Sequence, residues 1–226
     1  MIKAVLFDLD GTLADTAPDL THALNKVRAS RGLAPLPLAV TRPVTSHGAR
    51  GLLGIGLNVA PQDPVYDALR DEFLSLYAAN ICRETTLFPG MPELLSELEK
   101  RGLLWGVVTN KVERFTLPLL EQLGLSARAA CIVGGDTTPR SKPHPDPLLA
   151  ASRMVGLHPG DCVYVGDDRR DIEAGRAAGM RTAVARWGYL NGNDSETWGS
   201  DWMLAHPGEL LEALEKRQFP DGATNN

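Results

Sequence analysis

From residue 86 onward, short apolar runs alternate with amphipathic helical patterns, and that alternation restricts the fold more than any other feature of the chain. "LLWGVVTN", "ACIVGG", "DCVYVGD" and "RTAVAR" are apolar on successive residues rather than on every second one. Strands of that kind are covered on both faces, as in a parallel sheet packed between helices. Helical segments separate them. "FPGMPELLSELEKRG" is opened by Pro92, apolar at Leu94, Leu95 and Leu98, and stopped by Gly102. "VERFTLPLLEQLG" is helical too, with Pro118 predicting a kink or a split. "PDPLLAASRMVG" and "RDIEAGRAAG" complete the set. With "IKAVLFD" at the start, five central strands are joined by helices, which implies an α/β, Rossmann-like, mainly parallel sheet.

Residues 17–84 break the rhythm. Candidate helices such as "APDLTHALNKVRASRG" and "DPVYDALRDEFLSLYAANI" follow one another with no convincing strand between them. The expected organisation is therefore a core of residues 1–16 and 85–226 with an inserted α-helical cap domain at 17–84, hinged near 14–18 and 80–86. The polar tail "FPDGATNN" reads as frayed.

Composition narrows the partners. The 226 residues are 43% hydrophobic, enough for a substantial core, and the formal net charge of −5 argues against a nucleic-acid partner, which needs a basic face. Cys82, Cys131 and Cys162 are odd in number and lack metal-site spacing. No apolar stretch approaches the roughly 20 residues that span a bilayer, so no membrane partner is expected. The N-terminus has one lysine before Asp8 and Asp10 interrupt its apolar run, unlike a signal peptide. A cytoplasmic protein, monomer or homodimer, is expected.

In an open parallel sheet, ligands collect outside the carboxyl ends of the strands. The polar clusters expected at that edge are Asp8 and Asp10 after the first strand, Thr109 and Asn110 after the second, Lys142 in a loop, and Asp167, Asp168 and Asp171 after a later strand. Each alone is ordinary: Asp-Gly-Thr is a common turn, a Thr-Asn pair a strand end, a single lysine a solvated one. Converging, they are a site. Clustered carboxylates repel unless a cation sits among them, and Mg²⁺ takes oxygen ligands from one or two carboxylates plus phosphate. Lys142 and the Thr109 hydroxyl suit phosphate oxygens, and a carboxylate that attacks phosphorus divides one hard displacement into two easier ones.

"DLDGT", "VVTN", "SKPHP" and "GDDRRD", in that order, resemble the four motifs of the Mg²⁺-dependent phosphatases of the haloacid dehalogenase superfamily. The resemblance implies Asp8 as nucleophile and Asp10 as general acid/base. It implies Thr109 and Asn110 on the phosphoryl group, and Lys142 steadying charge. Mg²⁺ would be held by Asp8, Asp167 and the Asp10 main-chain carbonyl, supported by Asp168 or Asp171, of which Asp171 is preferred. A haloalkanoate dehalogenase has no use for Asp10 and Asp167. A Schiff-base phosphonate hydrolase needs a cap lysine, for which only Lys26 is available. A sugar-phosphate phosphomutase shares nearly the whole core. A response-regulator-like phosphoacceptor domain carries its acceptor on a later strand and has no inserted helices.

The segment "RPVTSHGARGLLGIG" is the other informative region. Gly48, Gly51, Gly54 and Gly56 predict a sharp turn or a close backbone approach. Arg42, His47 and Arg50 are candidates for reading the substrate, with Arg50 preferred because a guanidinium grips a carboxylate with two hydrogen bonds. "SHGARG", "LLWGVVTNK", "GDDRRDIEAGRAAG" and "WGYL…WGSDW" look similar to a group of phosphoglycolate phosphatases that includes N-acetylmuramic acid 6-phosphate phosphatases. Both substrates are small phosphomonoesters bearing a carboxylate; 2-phosphoglycolate is the first expectation and the amino-sugar phosphate the second.

Overall fold

The computed structural model describes residues 1–190, 192 and 194–218, so the tail singled out above lies outside the described residues. Six strands form one parallel sheet: β1 (Ala4–Phe7), β4 (Leu104–Val108), β5 (Ile132–Val133), β6 (Cys162–Gly166), β7 (Arg181–Ala185) and β8 (Trp202–Leu204). Their spatial order is β5-β4-β1-β6-β7-β8. The chain therefore winds outward from β1 on one side through β4 and β5. It then returns to β1's other flank and winds the opposite way through β6, β7 and β8. The reversal of winding leaves a crevice at the carboxyl end of β1.

Every residue of β1 and β6 is buried, the double covering that their unbroken apolar runs imply. The covering helices are α5 (Met91–Lys100), α6 (Glu113–Gln122), α7 (Asp146–Met154), α8 (Arg169–Ala177) and α9 (Glu209–Gln218). In α5, Pro92 stands in the first turn and Leu94, Leu95 and Leu98 are buried. Each such side chain contributes about 1.5–3 kcal/mol of burial, and Gly102 ends the segment at φ +70°.

Between β1 and β4 the chain forms β2 (Ala14–Asp15), which pairs antiparallel with β3 (Thr86–Leu87). The helices α1 (Ala17–Ala29), α2 (Leu38–Thr41), α3 (Gly48–Leu57) and α4 (Tyr66–Ala78) all fall between these two short strands, with a 3₁₀ segment at Arg42–His47. Leu20, Leu24, Leu52, Leu53, Leu69 and Phe73 pack these helices on one another.

Two local expectations are corrected and a third is met in part. A sixth strand, β8, extends the sheet beyond the five that the apolar runs marked; it has only three residues and two of them are half-buried. Pro118 does not split α6: its ring is exposed, so the carbonyl left without an amide partner can face water. The glycine-rich segment is mostly helix. The turn lies at Gly48 (φ +58°), and close approaches occur at Gly51 and Gly56, where a Cβ would stand 2.6 Å from His47 and 2.5 Å from Leu24.

Candidate active site

The backbone amide of Asp8 still donates to Val165 (2.9 Å), so its carboxylate is delivered at the last rung of the β1–β6 ladder. Beyond it the chain must reverse sharply, and Gly11 does so at φ +87°. A Cβ at Gly11 would lie 2.3 Å from Asp167 Oδ2, which excludes any other residue on both counts. One carboxylate oxygen each from Asp8, Asp167 and Asp171 lies within 4.8 Å of the other two, and all three residues are buried.

One lysine partly compensates this charge. Lys142, 4% exposed, reaches the cluster with Nζ 2.7 Å from Asp171 Oδ1 and 2.9 Å from Asp8 Oδ1, and donates also to Tyr164 Oη (2.7 Å). Burial pulls the Lys142 ammonium down, but Asp171 and Asp8 outweigh it and hold it above its ordinary value. Burial pushes Asp8 up to about 6 despite Lys142, with Asp171 adding to the rise. Asp167 is driven well above the carboxylate range by burial and then by Asp8 and Asp171. Asp8 Oδ1 accepts no directional hydrogen bond among the described residues. Three buried carboxylates with one cation, all oxygen donors, make a donor set that suits a hard divalent ion.

Asp10 faces different neighbours. Its Oδ1 accepts from Thr16 Oγ1 (2.5 Å) and from Lys111 Nζ (2.8 Å), while Oδ2 has no hydrogen-bond partner among the described residues. Its side chain is thus outside the three-carboxylate cluster. Asp171, expected only to support the metal, belongs to that cluster. It also closes a capping box on α8: Asp171 Oδ2 accepts from the Asp168 amide (3.0 Å) while Asp168 caps the helix. Asp168 turns away from the cluster to pair with Arg170 (2.8 Å); burial opposes its ionisation, but Arg170 holds it below the usual carboxylate value.

Thr109 is buried at the end of β4, its amide continuing the ladder to Val133 (2.9 Å). Asn110 also lines the site. Its side-chain amide donates to the Lys142 carbonyl and accepts from the Lys142 amide, both at 3.0 Å, and so fixes the loop that carries Lys142.

A cavity of about 290 Å³ opens on these residues. Asp8, Asp10, Thr109, Asn110, Lys142 and Asp171 line its floor, and the insert supplies Leu20, Ser46, His47, Phe73, Leu74 and Tyr77. The chain matches the family model described as haloacid dehalogenase-like hydrolase over residues 5–185. The chain belongs to that family. This haloacid dehalogenase-like hydrolase is 43% identical over 216 residues to an N-acetylmuramic acid 6-phosphate phosphatase of Pseudomonas aeruginosa, covering 95% of this chain and 96% of the relative. It is 45% identical over 214 residues to a phosphoglycolate phosphatase of Xanthomonas campestris pv. campestris, covering 93% and 95%. A crystal structure titled as a predicted phosphoglycolate phosphatase from Haemophilus somnus superposes with a TM-score of 0.83 at 26% identity, covering 94% of this chain and 98% of that one.

Of the three cationic candidates in the insert of this hydrolase, only His47 lines the cavity. Arg50 is exposed and absent from the cavity wall. Arg42 is committed to Asp15 through two hydrogen bonds (2.9 and 2.8 Å) and lies over the Tyr189 ring. The cations that do line the wall are Lys111, Arg114 and Arg170, none of which was singled out from sequence. Lys111 and Arg114 had a legible signal, since Lys111 directly follows Thr109 and Asn110 at the carboxyl end of a strand and Arg114 lies in the first turn of the helix after it. Burial opposes the charge of Lys111, but Asp10 and Tyr77 more than restore it.

Proposed function

We propose that this hydrolase cleaves small phosphomonoesters through a phosphoryl group carried transiently on Asp8. The observation that supports this most is the convergence of Asp8, Lys142 and the pair Asp167 and Asp171, from three separate stretches of chain, on one point at the carboxyl edge of the sheet. Asp8, Asp167 and Asp171, with the Asp10 carbonyl, would hold Mg²⁺. When bound, the ion neutralises phosphate oxygens and the carboxylate cluster.

In the first step an Asp8 oxygen attacks phosphorus as the ester oxygen leaves, and Asp10 gives that oxygen a proton. Oδ2 is the oxygen of Asp10 that suits the task, since Oδ1 is held by Thr16 and Lys111. In the second step Asp10 takes a proton from water as the water attacks phosphorus, releasing orthophosphate and restoring the Asp8 carboxylate. Lys142 and Thr109 hold phosphoryl oxygens, and Asn110 holds Lys142. Residues 17–84 act as the cap, which excludes water during the first step and admits it for the second.

The substrate on this reading carries a carboxylate, and 2-phosphoglycolate stands first. Arg114 takes over the role expected of Arg50: it lines the cavity, and its guanidinium lies over the Phe115 ring (4.7 Å) with no hydrogen bond or ion pair among the described residues. A second reading, N-acetylmuramic acid 6-phosphate, is favoured by the cavity itself. A two-carbon acid leaves most of about 290 Å³ empty, whereas Leu20, Phe73, Leu74 and Phe115 suit the acetyl and lactyl methyl groups of an amino sugar. Among the described residues no helix is long and apolar enough to cross a membrane, and Cys82, Cys131 and Cys162 are free. The reading is of a cytoplasmic enzyme, monomer or homodimer.

The test is phosphate release, with Mg²⁺, from both carboxylated substrates and from a neutral aryl phosphate. The expected result is a higher kcat/KM on a carboxylated substrate, cut about ten-fold or more by Arg114→Ala, with little loss on the aryl phosphate and little effect of Arg50→Ala. No phosphate release from any of the three contradicts the reading; equal losses on all substrates remove Arg114 from it.

A further inference from the structure

The 3₁₀ segment Arg42–His47 is fastened to the rest of the molecule at both ends, by two different devices. At its start, Arg42 grips Asp15 with two hydrogen bonds, and Asp15 Oδ1 also accepts from Tyr189 Oη (2.7 Å). That hydroxyl in turn accepts from the Ala17 amide (3.0 Å). Asp15 and Ala17 sit where the chain enters the helical insert and Tyr189 follows β7, so this fastening ties the start of the segment to the crossing.

At the other end the partner is the core. Arg170, on α8, donates through Nη2 to the main-chain carbonyl of Ser46 (2.8 Å). The same guanidinium is aimed by Asp168, which accepts from Nε and Nη2 at 2.8 Å each. Asp168 is itself fixed as the N-cap of α8 by the Arg170 amide (2.9 Å). The planar guanidinium therefore has its orientation set from the core side, and the second hydrogen of Nη2 crosses to the insert. Where it does so, the Ser46 hydroxyl comes 3.3 Å from Asp167 Oδ2, an oxygen that otherwise accepts from the Tyr189 amide (2.9 Å).

We infer that Arg170 is a positioning residue: held in plane by Asp168, it latches the Ser46 carbonyl and so keeps the insert over the carboxylate cluster. Because the acceptor is main chain, the latch does not depend on the Ser46 side chain. That side chain is carried along, and its hydroxyl reaches Asp167 only while the latch is made. Ser46, Asp168 and Arg170 all line the cavity, so the made latch completes part of the wall that a bound substrate meets. The geometry stands without the proposed phosphatase reading; only the consequence for turnover rests on it.

Hydrogen exchange on the full-length, metal-free protein tests this. A charge-assisted hydrogen bond governs a population ratio of about ten-fold or more, so Arg170→Ala raises exchange of amides 42–50 by that factor while β6 stays protected. Asp168→Asn, which removes the group that aims Arg170, loosens the same segment, and Arg170→Lys recovers part of the protection. Ser46→Ala leaves exchange at 42–50 as in the unaltered protein. With Mg²⁺ and a phosphomonoester, Arg170→Ala raises KM more than it lowers kcat, because fewer molecules are competent to bind. Unchanged exchange at 42–50 in both Arg170→Ala and Asp168→Asn overturns the latch, and so does a Ser46→Ala effect as large as that of Arg170→Ala. Failure of the unaltered protein to release phosphate would sink the phosphatase reading while leaving the exchange result to decide the latch.

Discussion

Asp8 and Asp10 stand two residues apart and meet opposite surroundings. Asp8 shares a buried point with two further carboxylates and one ammonium, which suits a group that is charged in use and relieved by a cation. Asp10 has one oxygen held by a hydroxyl and an ammonium and the other unengaged, which suits a group that trades a proton. On the proposed reading, two carboxylates take two roles that their environments set. Asp10→Asn is expected to lose about 10²–10⁴-fold in turnover of alkyl phosphates and far less in the first-step burst on an aryl phosphate whose leaving group needs no proton. Burst and steady-state rates measured side by side check this; equal loss in both phases would take Asp10 out of proton transfer. At this scale the sequence was informative wherever a residue directly follows a strand: Asp8, Thr109 and Asp167 are fixed in space by a ladder that the apolar runs reveal. The position of Asn110 was legible in the same way, but its side-chain hydrogen bonds to Lys142, 32 residues away, were not.

The elements divide along the same line. Strands apolar on both faces and helices with a clean apolar stripe, such as α5, carry their own burial pattern and were expected in their places. β8 is too short and too exposed to show one. The insert was read correctly as helical, but the faces of its helices depend on packing that no local pattern encodes. Arg50 lies in α3, and which way α3 faces follows from Gly56 sitting against Leu24 of α1 and Gly51 against His47. That packing turns Arg50 to solvent. The wall is completed instead by α6 and α8, whose first turns supply Arg114 and Arg170. Pro118 shows the limit of a rule stated without exposure: a proline on the wet side of a helix costs one hydrogen bond that water replaces.

For the whole molecule, the carboxylate cluster sets a pH dependence whose sign follows from proton binding. Burial raises Asp8 from 3.8 to about 6 in the folded protein and lifts Asp167 well above its ordinary value. Between the unfolded and folded values the folded state binds more protons, so stability of the metal-free protein falls as pH rises through that window. The surface carboxylates held low by Arg31, Arg101, Arg128, Arg140 and Lys3 act below about pH 4, where their stabilisation is lost as pH falls, and do not offset this. A divalent ion relieves the repulsion only where the carboxylates are ionised. Thermal unfolding with and without Mg²⁺ is therefore expected to show a larger gain in Tm near pH 7.5 than near pH 5; an equal or reversed gain would contradict a metal held by this cluster.

The claim on which the rest depends is that Asp8 itself becomes phosphorylated. Acid-quenched protein, taken during turnover of an aryl phosphate with Mg²⁺ and mapped by peptide mass spectrometry, tests it directly. The account predicts one added phosphoryl group on the peptide containing Asp8, discharged by hydroxylamine, and none in Asp8→Asn, which has also lost turnover. A phosphoryl group on any other residue, or full turnover by Asp8→Asn, would contradict it.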